Sequence, residues 1–367
     1  MSEKIISSDT AYRNKFSISQ SSIKDWKIMP PKKWHDTWVT KTLARSFSQA
    51  TVLGSYLDCL MFTPKDLEKR FIVASIPLPS EKVTKILTDA FNHVEELNKN
   101  AKVINITNPG KTPIPMKKHT LEDKELIVSL CQLHDHYKSK PDQAYNDVLK
   151  KGTAYFEFLQ TTKGKQVIST DDDKKAKKMQ EVLLNDKVSK PFFDPKKGCE
   201  VVFQVRIFAE FSISGFDNVE FLPTKGAIDI VHINNKRKEV REVDLKYTND
   251  VFMFWDAIKR FDYPGQHSFY DYLLKEWLKT YKDGRYKDYA VMPPLNVVID
   301  DDLIPYIYAY NMDDLQIKRY GVENTPIRGW EDVINDIAWH FDNGDWSRPR
   351  EHQQNGYLSV RTFNKTR

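Results

Sequence analysis

Cysteine is scarce in this chain. Cys59, Cys131 and Cys199 are the three among 367 residues, and none forms a Cys-x-x-Cys pair. That spacing suggests neither a zinc site, nor an iron–sulfur cluster, nor a disulfide framework. No apolar run is long enough to span a bilayer. The first residues, Met1-Ser-Glu-Lys-Ile, lack the charged-then-apolar pattern of a secretory leader. No internal repeat is visible. There is no large excess of either charge: 56 basic and 51 acidic residues leave a net +5, with the signs interspersed. A mildly basic balance is compatible with a nucleic-acid partner but does not demand one. The expectation is a soluble protein of a reducing, cytoplasmic compartment with no membrane partner.

What is present is a globular composition, 40% hydrophobic and 12% aromatic, in a chain long enough for one elaborated domain or two. Two stretches organise the rest, Gly226-Ala-Ile-Asp229 and Arg241-Glu-Val-Asp244-Leu-Lys246. Their patterning predicts strands over Ala227–Ile233 and Val240–Thr248, joined by a polar turn at His232–Lys238. Side chains at i and i+2 of a strand share a face. Asp244 and Lys246 therefore point one way, and Val243, Leu245 and Tyr247 point into a core. Pairing of the strands brings Asp229 near Asp244. Two carboxylates and an ammonium suit Mg²⁺, which prefers a few carboxylate oxygens with water and substrate phosphate. Such an ion lowers the pKa of its water and neutralises charge on a phosphate. A neighbouring lysine can orient or deprotonate that water. The triplet alone is weak, because this composition yields an acid-x-base pattern about eight times by chance. A solvated strand face has the same letters.

Before these strands the pattern is mostly helical. Ser19 is placed to cap a short helix carrying Ile23 and Trp26, ended by Pro30-Pro31. Lys32-Lys-Trp-His-Asp-Thr-Trp follows; this basic, Trp-bearing region reads as DNA contact or, more simply, as a helical pair packing its tryptophans. Phe47–Phe62 is a helix with Leu53, Tyr56, Leu57, Leu60 and Met61 on one stripe. Gly54 within it suggests close approach of a backbone or ligand, and Asp58 reads on spacing as a solvent-facing residue. Residues 80–98 form an amphipathic helix, 101–118 a turn-rich loop with Asn108-Pro-Gly, and Leu121–Lys138 another helix. His134 and His136, two apart on a helix, do not face one point. Asp171–Lys178, acids before bases, reads as a solvated helix start.

From Cys199 the period changes to two, giving a long strand, a turn at Ser214–Asp217 and a further strand at Val219–Leu222. Glu210 or Gln204 could reach the site of Asp229. Pro264 opens a helix over Gly265–Tyr281, with Gln266 and Tyr270 on one face. Glutamine can orient a water or a phosphate, and tyrosine can bond a phosphate or stack on a base. A polar helix start followed by a core tyrosine is the plainer account. Pro294–Asp300 and Pro305–Met312 read as core strands with a turn at Asp300–Asp302, and Gly329–Phe341 as the last helix. Arg348 and Arg350 lie in a basic terminal loop.

The order of these parts resembles the PD-(D/E)xK nuclease superfamily: an early helix bearing an acid, Gly-x-x-Asp, Asp-x-Lys, then Gln-x-x-x-Tyr. The last motif resembles the RecB-like branch, and within it the RecE-type exonucleases (exonuclease VIII) of phages and bacteria. The similarity extends to Ile18-Ser-Gln-Ser-Ser-Ile, Leu53-Gly-Ser-Tyr-Leu-Asp58, Asp244-Leu-Lys-Tyr-Thr248, Ile337-Ala-Trp-His and Trp346-Ser-Arg-Pro-Arg. It covers about Phe16–Phe71 and Glu200–Arg350 and leaves the middle unmatched. The resemblance implies a restriction-endonuclease-like α/β fold, a central mixed sheet flanked by helices with an N-terminal helical elaboration. Expected divisions are a flexible 1–15, a helical part over 16–190, a nuclease core over 191–350 and a tail over 351–367. Asp229, Asp244 and the carbonyl of Leu245 would hold Mg²⁺ or Mn²⁺. Lys246 would position the attacking water, with Gln266 and Tyr270 flanking the scissile strand. Asp58 stands where the family commonly has a histidine ligand, and Glu200 and Glu210 compete for its remaining acid. The implied activity is 5′-to-3′ digestion of duplex DNA ends in recombination or repair, by a ring-shaped homo-oligomer with a single-strand annealing protein as partner. Alternatives are a structure-specific or defence-associated endonuclease, and a catalytically silent DNA-binding protein.

Overall fold

The computed structural model describes residues 15–43, 49–107, 112–137, 139–162, 164–323, 325 and 327–358. The expected loose N-terminus up to residue 14, the Asn108-Pro-Gly turn and the end of the polar tail lie outside them. In chain order, α1 (Gln20–Trp26) and α2 (Pro31–Trp38) come first. Next are α3 (Gln49–Phe62), α4 (Leu67–Arg70), β1 (Phe71–Val73), α5 (Glu81–Thr107), α6 (Lys124–Leu133), α7 (Pro141–Thr161) and β2 (Gln166–Ile168). Then follow α8 (Thr170–Asn185), α9 (Lys190–Phe193), β3 (Cys199–Ser212), β4 (Phe221–Asn234) and β5 (Glu239–Tyr247). The chain closes with α10 (Phe254–Phe261), α11 (Tyr263–Thr280), β6 (Ala290–Ile299), β7 (Tyr306–Ala309), α12 (Met312–Tyr320), α13 (Trp330–Asn343) and α14 (Arg350–Asn355). No described helix is long and apolar enough to cross a membrane.

The chain forms two compact units, one of Met1–Ser46 with Met179–Arg367 and one of Phe47–Lys178. Residues 15–43 thus cluster with the C-terminal half, where the sequence grouped 16–190 together. In the smaller unit, β1 and β2 pair in parallel. Val83, Ile86, Leu87, Ile127, Val148 and Phe156 form a core shared by α5, α6 and α7. Gly152 permits it: a Cβ there would lie 2.3 Å from Leu87 Cδ1. The helix expected over Leu121–Lys138 ends at Leu133, so His134 and His136 lie in the turn beyond it, where they bond different acids, Asp89 and Asp147. Among the described residues nothing lies within 4 Å of where a Gly54 Cβ would stand, so no close backbone approach is seen there.

The larger unit carries a mixed five-stranded sheet in the order β3-β4-β5-β6-β7, antiparallel except for the parallel β5–β6 pair. Helices flank it, which is the α/β architecture the sequence implied. The expected strand at Val219–Leu222 is not separate; β4 is continuous from Phe221, and the tight turn spans only 235–238. α11 packs against the sheet through Phe269, Leu273, Leu274 and Leu278, all buried with Ile228 and Val231. Gly226 lets it approach: a Cβ would fall 2.5 Å from Leu273 Cδ1 and 3.0 Å from Tyr270 Cε1.

One irregularity shapes the sheet. β4 pairs with β5 only from Ile230↔Val243 to Asn234↔Glu239. Beyond that point the strands part, and Asp244–Tyr247 pair only with β6. The N-terminal segment covers part of the exposed edge of β4: Ile18 donates its N–H to the Pro223 carbonyl and accepts from the Lys225 N–H, both at 2.7 Å. The tryptophans of α1 and α2 are core residues rather than a free basic surface. Trp26 and Trp34 are buried, Trp34 bonds the Ser22 carbonyl at 2.7 Å, and both rings contact Trp346.

Candidate active site

The fork between β4 and β5 is where the sequence placed its chemistry. Asp229 is the first residue of β4 past the last ladder pair, and Asp244 is its counterpart on β5. The Asp229 carboxylate reaches across the fork: Oδ2 accepts the Leu245 N–H at 3.4 Å, and Oδ1 accepts Gln204 Nε2 at 3.0 Å. Asp244 is buried. Its Oδ1 accepts Gln266 Nε2 at 2.9 Å, and its Oδ2 accepts Asn296 Nδ2 at 3.0 Å and meets Lys246 Nζ at 2.5 Å. Lys246 also lies over the Tyr263 ring, 5.1 Å from its centroid.

The strand period explains why these groups meet. Glu242, Asp244 and Lys246 share one face of β5, and α11 lies on that face with Tyr263, Gln266 and His267 at its start. Burial alone would lower the pKa of the Lys246 ammonium, but the Asp244 and Asp229 carboxylates outweigh it and hold the pKa above its ordinary value. Lys246 is therefore a cation and a hydrogen-bond donor here.

Gln204 sits mid-strand in β3 with φ +49, in the left-handed region that non-glycine residues rarely adopt. Such a conformation costs on the order of 1–3 kcal/mol. It interrupts the β3–β4 pairing between Phe203↔Ile230 and Val205↔Ile228, and its side chain meets Asp229 there. Of Glu210 and Gln204, the two residues offered for that place, Gln204 is the one that reaches it. Glu210 is exposed on β3, with its backbone carbonyl accepting the Tyr272 hydroxyl. Glu200 lies towards the start of β3 and bonds Asn235, Lys282 and Tyr286 at 2.7–2.9 Å. Tyr270, one helical turn beyond Gln266, is half-buried over Gly226. Asp58 lies on α3, in the unit Phe47–Lys178.

No protein-family profile matches the chain, and no curated protein matches it in sequence. Among solved structures it is similar to one from Eubacterium rectale described as "Putative exonuclease". The two share 12% identity and a TM-score of 0.42, over 99% of this chain and 96% of that one. A likeness that distant says nothing of the chemistry, which rests on the residues themselves.

Two carboxylates at one fork fit a hard divalent cation, which is commonly held by one or two carboxylates and completes its shell with water and substrate oxygens. Among the described residues no group of three or more His, Cys, Asp or Glu could hold a metal ion, so water, backbone or substrate would supply the remaining ligands.

A supporting layer lies behind the site, of which the residue pattern carries little sign. The Tyr310 hydroxyl donates to Asn296 Oδ1, which turns the Asn296 amide nitrogen towards Asp244. His267 and Glu242, both fully buried, meet at 2.8 Å and tie α11 to β5 one residue from Gln266. Burial pushes the Glu242 carboxyl up; burial pulls His267 down, but Glu242 more than offsets that. Asn296 in an apolar strand and His267 in a helical stripe were both readable as misfits. Their partners were not, because each contact spans 14 residues or more.

Proposed function

We propose that this chain is a metal-dependent nuclease that hydrolyses DNA phosphodiesters, acting as a 5′-to-3′ exonuclease on duplex ends. The observation that carries the reading is the meeting of Asp229, Asp244, Lys246 and Gln266 where β4 and β5 part. Asp229 and Asp244 would hold Mg²⁺ or Mn²⁺, helped by the Leu245 carbonyl. When bound, the ion would polarise the phosphate and lower the pKa of a water. Lys246 donates a hydrogen bond to the attacking water and keeps it in line with phosphorus. Gln266 holds the Asp244 carboxylate in one rotamer, and Tyr270 faces the strand from the next turn. Water adds to phosphorus and releases a proton to solvent, the P–O bond to the leaving nucleotide breaks, and that oxygen takes up a proton from solvent.

Support for end-directed action is the order of motifs along the chain, which resembles RecE-type exonucleases. The test uses end-labelled linear and closed circular duplexes with Mg²⁺ or EDTA, wild type beside Lys246→Ala. Mg²⁺-dependent loss of linear DNA with intact circles, abolished by Lys246→Ala, is the expected result. Cutting of closed circles would replace the exonuclease by an endonuclease. Absence of degradation of any DNA would leave a binding protein on this fold.

A further inference from the structure

Directly after β5 the chain exposes large apolar side chains in close succession. Phe252 is 71% exposed, Met253 58%, Trp255 60% and Phe261 44%. Single exposed apolar residues are ordinary; a cluster marks a recognition surface. This one is rigidly built. The Asp250 carboxylate accepts the Phe252 N–H at 2.7 Å. The Val251 N–H donates to the Asp300 carboxylate at 2.9 Å, and the Val251 carbonyl accepts the Tyr308 hydroxyl at 2.6 Å. Phe252 and Trp255 meet Tyr306 and Tyr308 at steep angles, 66° and 82°. Neither ring is therefore stacked face to face on its neighbour.

The cluster is continuous with the candidate active site. Lys246 lies over Tyr263, and Tyr263 contacts both Phe261 at 5.9 Å and Phe254 at 5.6 Å. Its charge is also informative. Lys259 stands one helical turn after Trp255, and Arg260 and Lys24 lie 5.6 Å and 5.2 Å from the centre of the Phe261 ring. Most acids nearby are already engaged: Asp250 with backbone amides, Asp262 with Lys27 and Lys318. Asp256 is exposed in the first turn of α10. Exposed rings interleaved with cations suit a strand whose bases are unstacked, since every base offers a π-face and every link a phosphate.

We propose that Phe252, Trp255 and Phe261 are a stacking platform for unpaired nucleobases of a DNA strand leading to Lys246, with Lys259, Arg260 and Lys24 meeting its phosphates. The proposal rests on the reading of the chain as a nuclease. Binding is measured without turnover, in EDTA, on the full chain, by anisotropy of a labelled thymidine oligonucleotide. Phe252→Ala and Trp255→Ala are each expected to weaken binding about ten-fold, with Trp255→Phe close to wild type. Lys259→Ala is expected to lower the slope of log affinity against log salt by about 0.7. Sedimentation of the double alanine variant is run alongside. Affinity unchanged by both alanine substitutions, in a wild type that binds and cuts, overturns the platform and leaves the nuclease standing. Dissociation of a multimer at unchanged DNA affinity overturns it in favour of a contact between copies. Ring-dependent binding with no cleavage under any divalent cation keeps the platform and removes the nuclease.

Discussion

Asn296 carries more of the site than its chemistry suggests. It is fully buried in β6, bonded to Asp244 on one side and to Tyr310 on the other. Asn296→Ala leaves the buried Tyr310 hydroxyl without its partner, at about 1–3 kcal/mol, while Asp244 Oδ2 keeps only Lys246. The expected outcome is a lower urea midpoint together with reduced cleavage, because Asp244 loses one of the bonds that fix its rotamer. Cleavage unchanged in a destabilised variant would make Asn296 purely structural. The residues touching the fork were legible beforehand for a simple reason. Asp244 and Lys246 share a strand face by period, and Gln266 and Tyr270 share a helix face by period. Gln204 was visible as a candidate, but its backbone was not: nothing in Phe203-Gln-Val205 announces a left-handed residue in the middle of a strand. Glu200 misled because an acid at the right distance along the chain was paired elsewhere in space.

At the scale of elements, the contact between α11 and β4 depends on Gly226. Gly226→Val forces Leu273 and Tyr270 outward and is expected to cost about 1–3 kcal/mol, as overpacking does. Because Tyr270 and Gln266 share a helix, cleavage should fall further than stability, which single-turnover rates beside unfolding curves would show. A second joint holds β3 to the segment after α11. Hydrogen bonds from Lys282, Asn235 and Tyr286 hold the Glu200 carboxyl well below its ordinary range, at about 2. A folded pKa below the unfolded one adds stability above the ordinary value of 4.5 that disappears as pH falls towards 2. The stability difference between wild type and Glu200→Gln should be largest near neutral pH and vanish by about pH 2. A difference independent of pH over that range would assign the effect to packing. The long strands and α11 were readable from period alone. The fork was not, since where two strands stop pairing is decided by what packs on them. α12 and α14 were missed; both are short and weakly patterned.

For the molecule as a whole, the N-terminal segment is part of the sheet-bearing unit. Trp34 is buried with Trp26, near His340 and Trp346. Trp34→Ala is expected to cost about 3–5 kcal/mol, read as a fall in the unfolding midpoint of the full chain; a loss below 1 kcal/mol would mean the segment is only loosely attached. That the tryptophans of α1 and α2 pack into a core was readable from the sequence. That they pack on residues some three hundred positions later was not, because helical period says which face is buried but not against what.

The bond between Ile18 and the edge of β4 also has a schedule. Its partners, Pro223 and Lys225, leave the ribosome about two hundred residues later, roughly 10–40 s at ordinary rates of synthesis. Throughout that wait the nascent chain displays the uncovered indoles of Trp26, Trp34 and Trp38 while the unit Phe47–Lys178 is synthesised behind them. Chaperone capture during translation should therefore concentrate on the first forty residues, and slower synthesis should lengthen it.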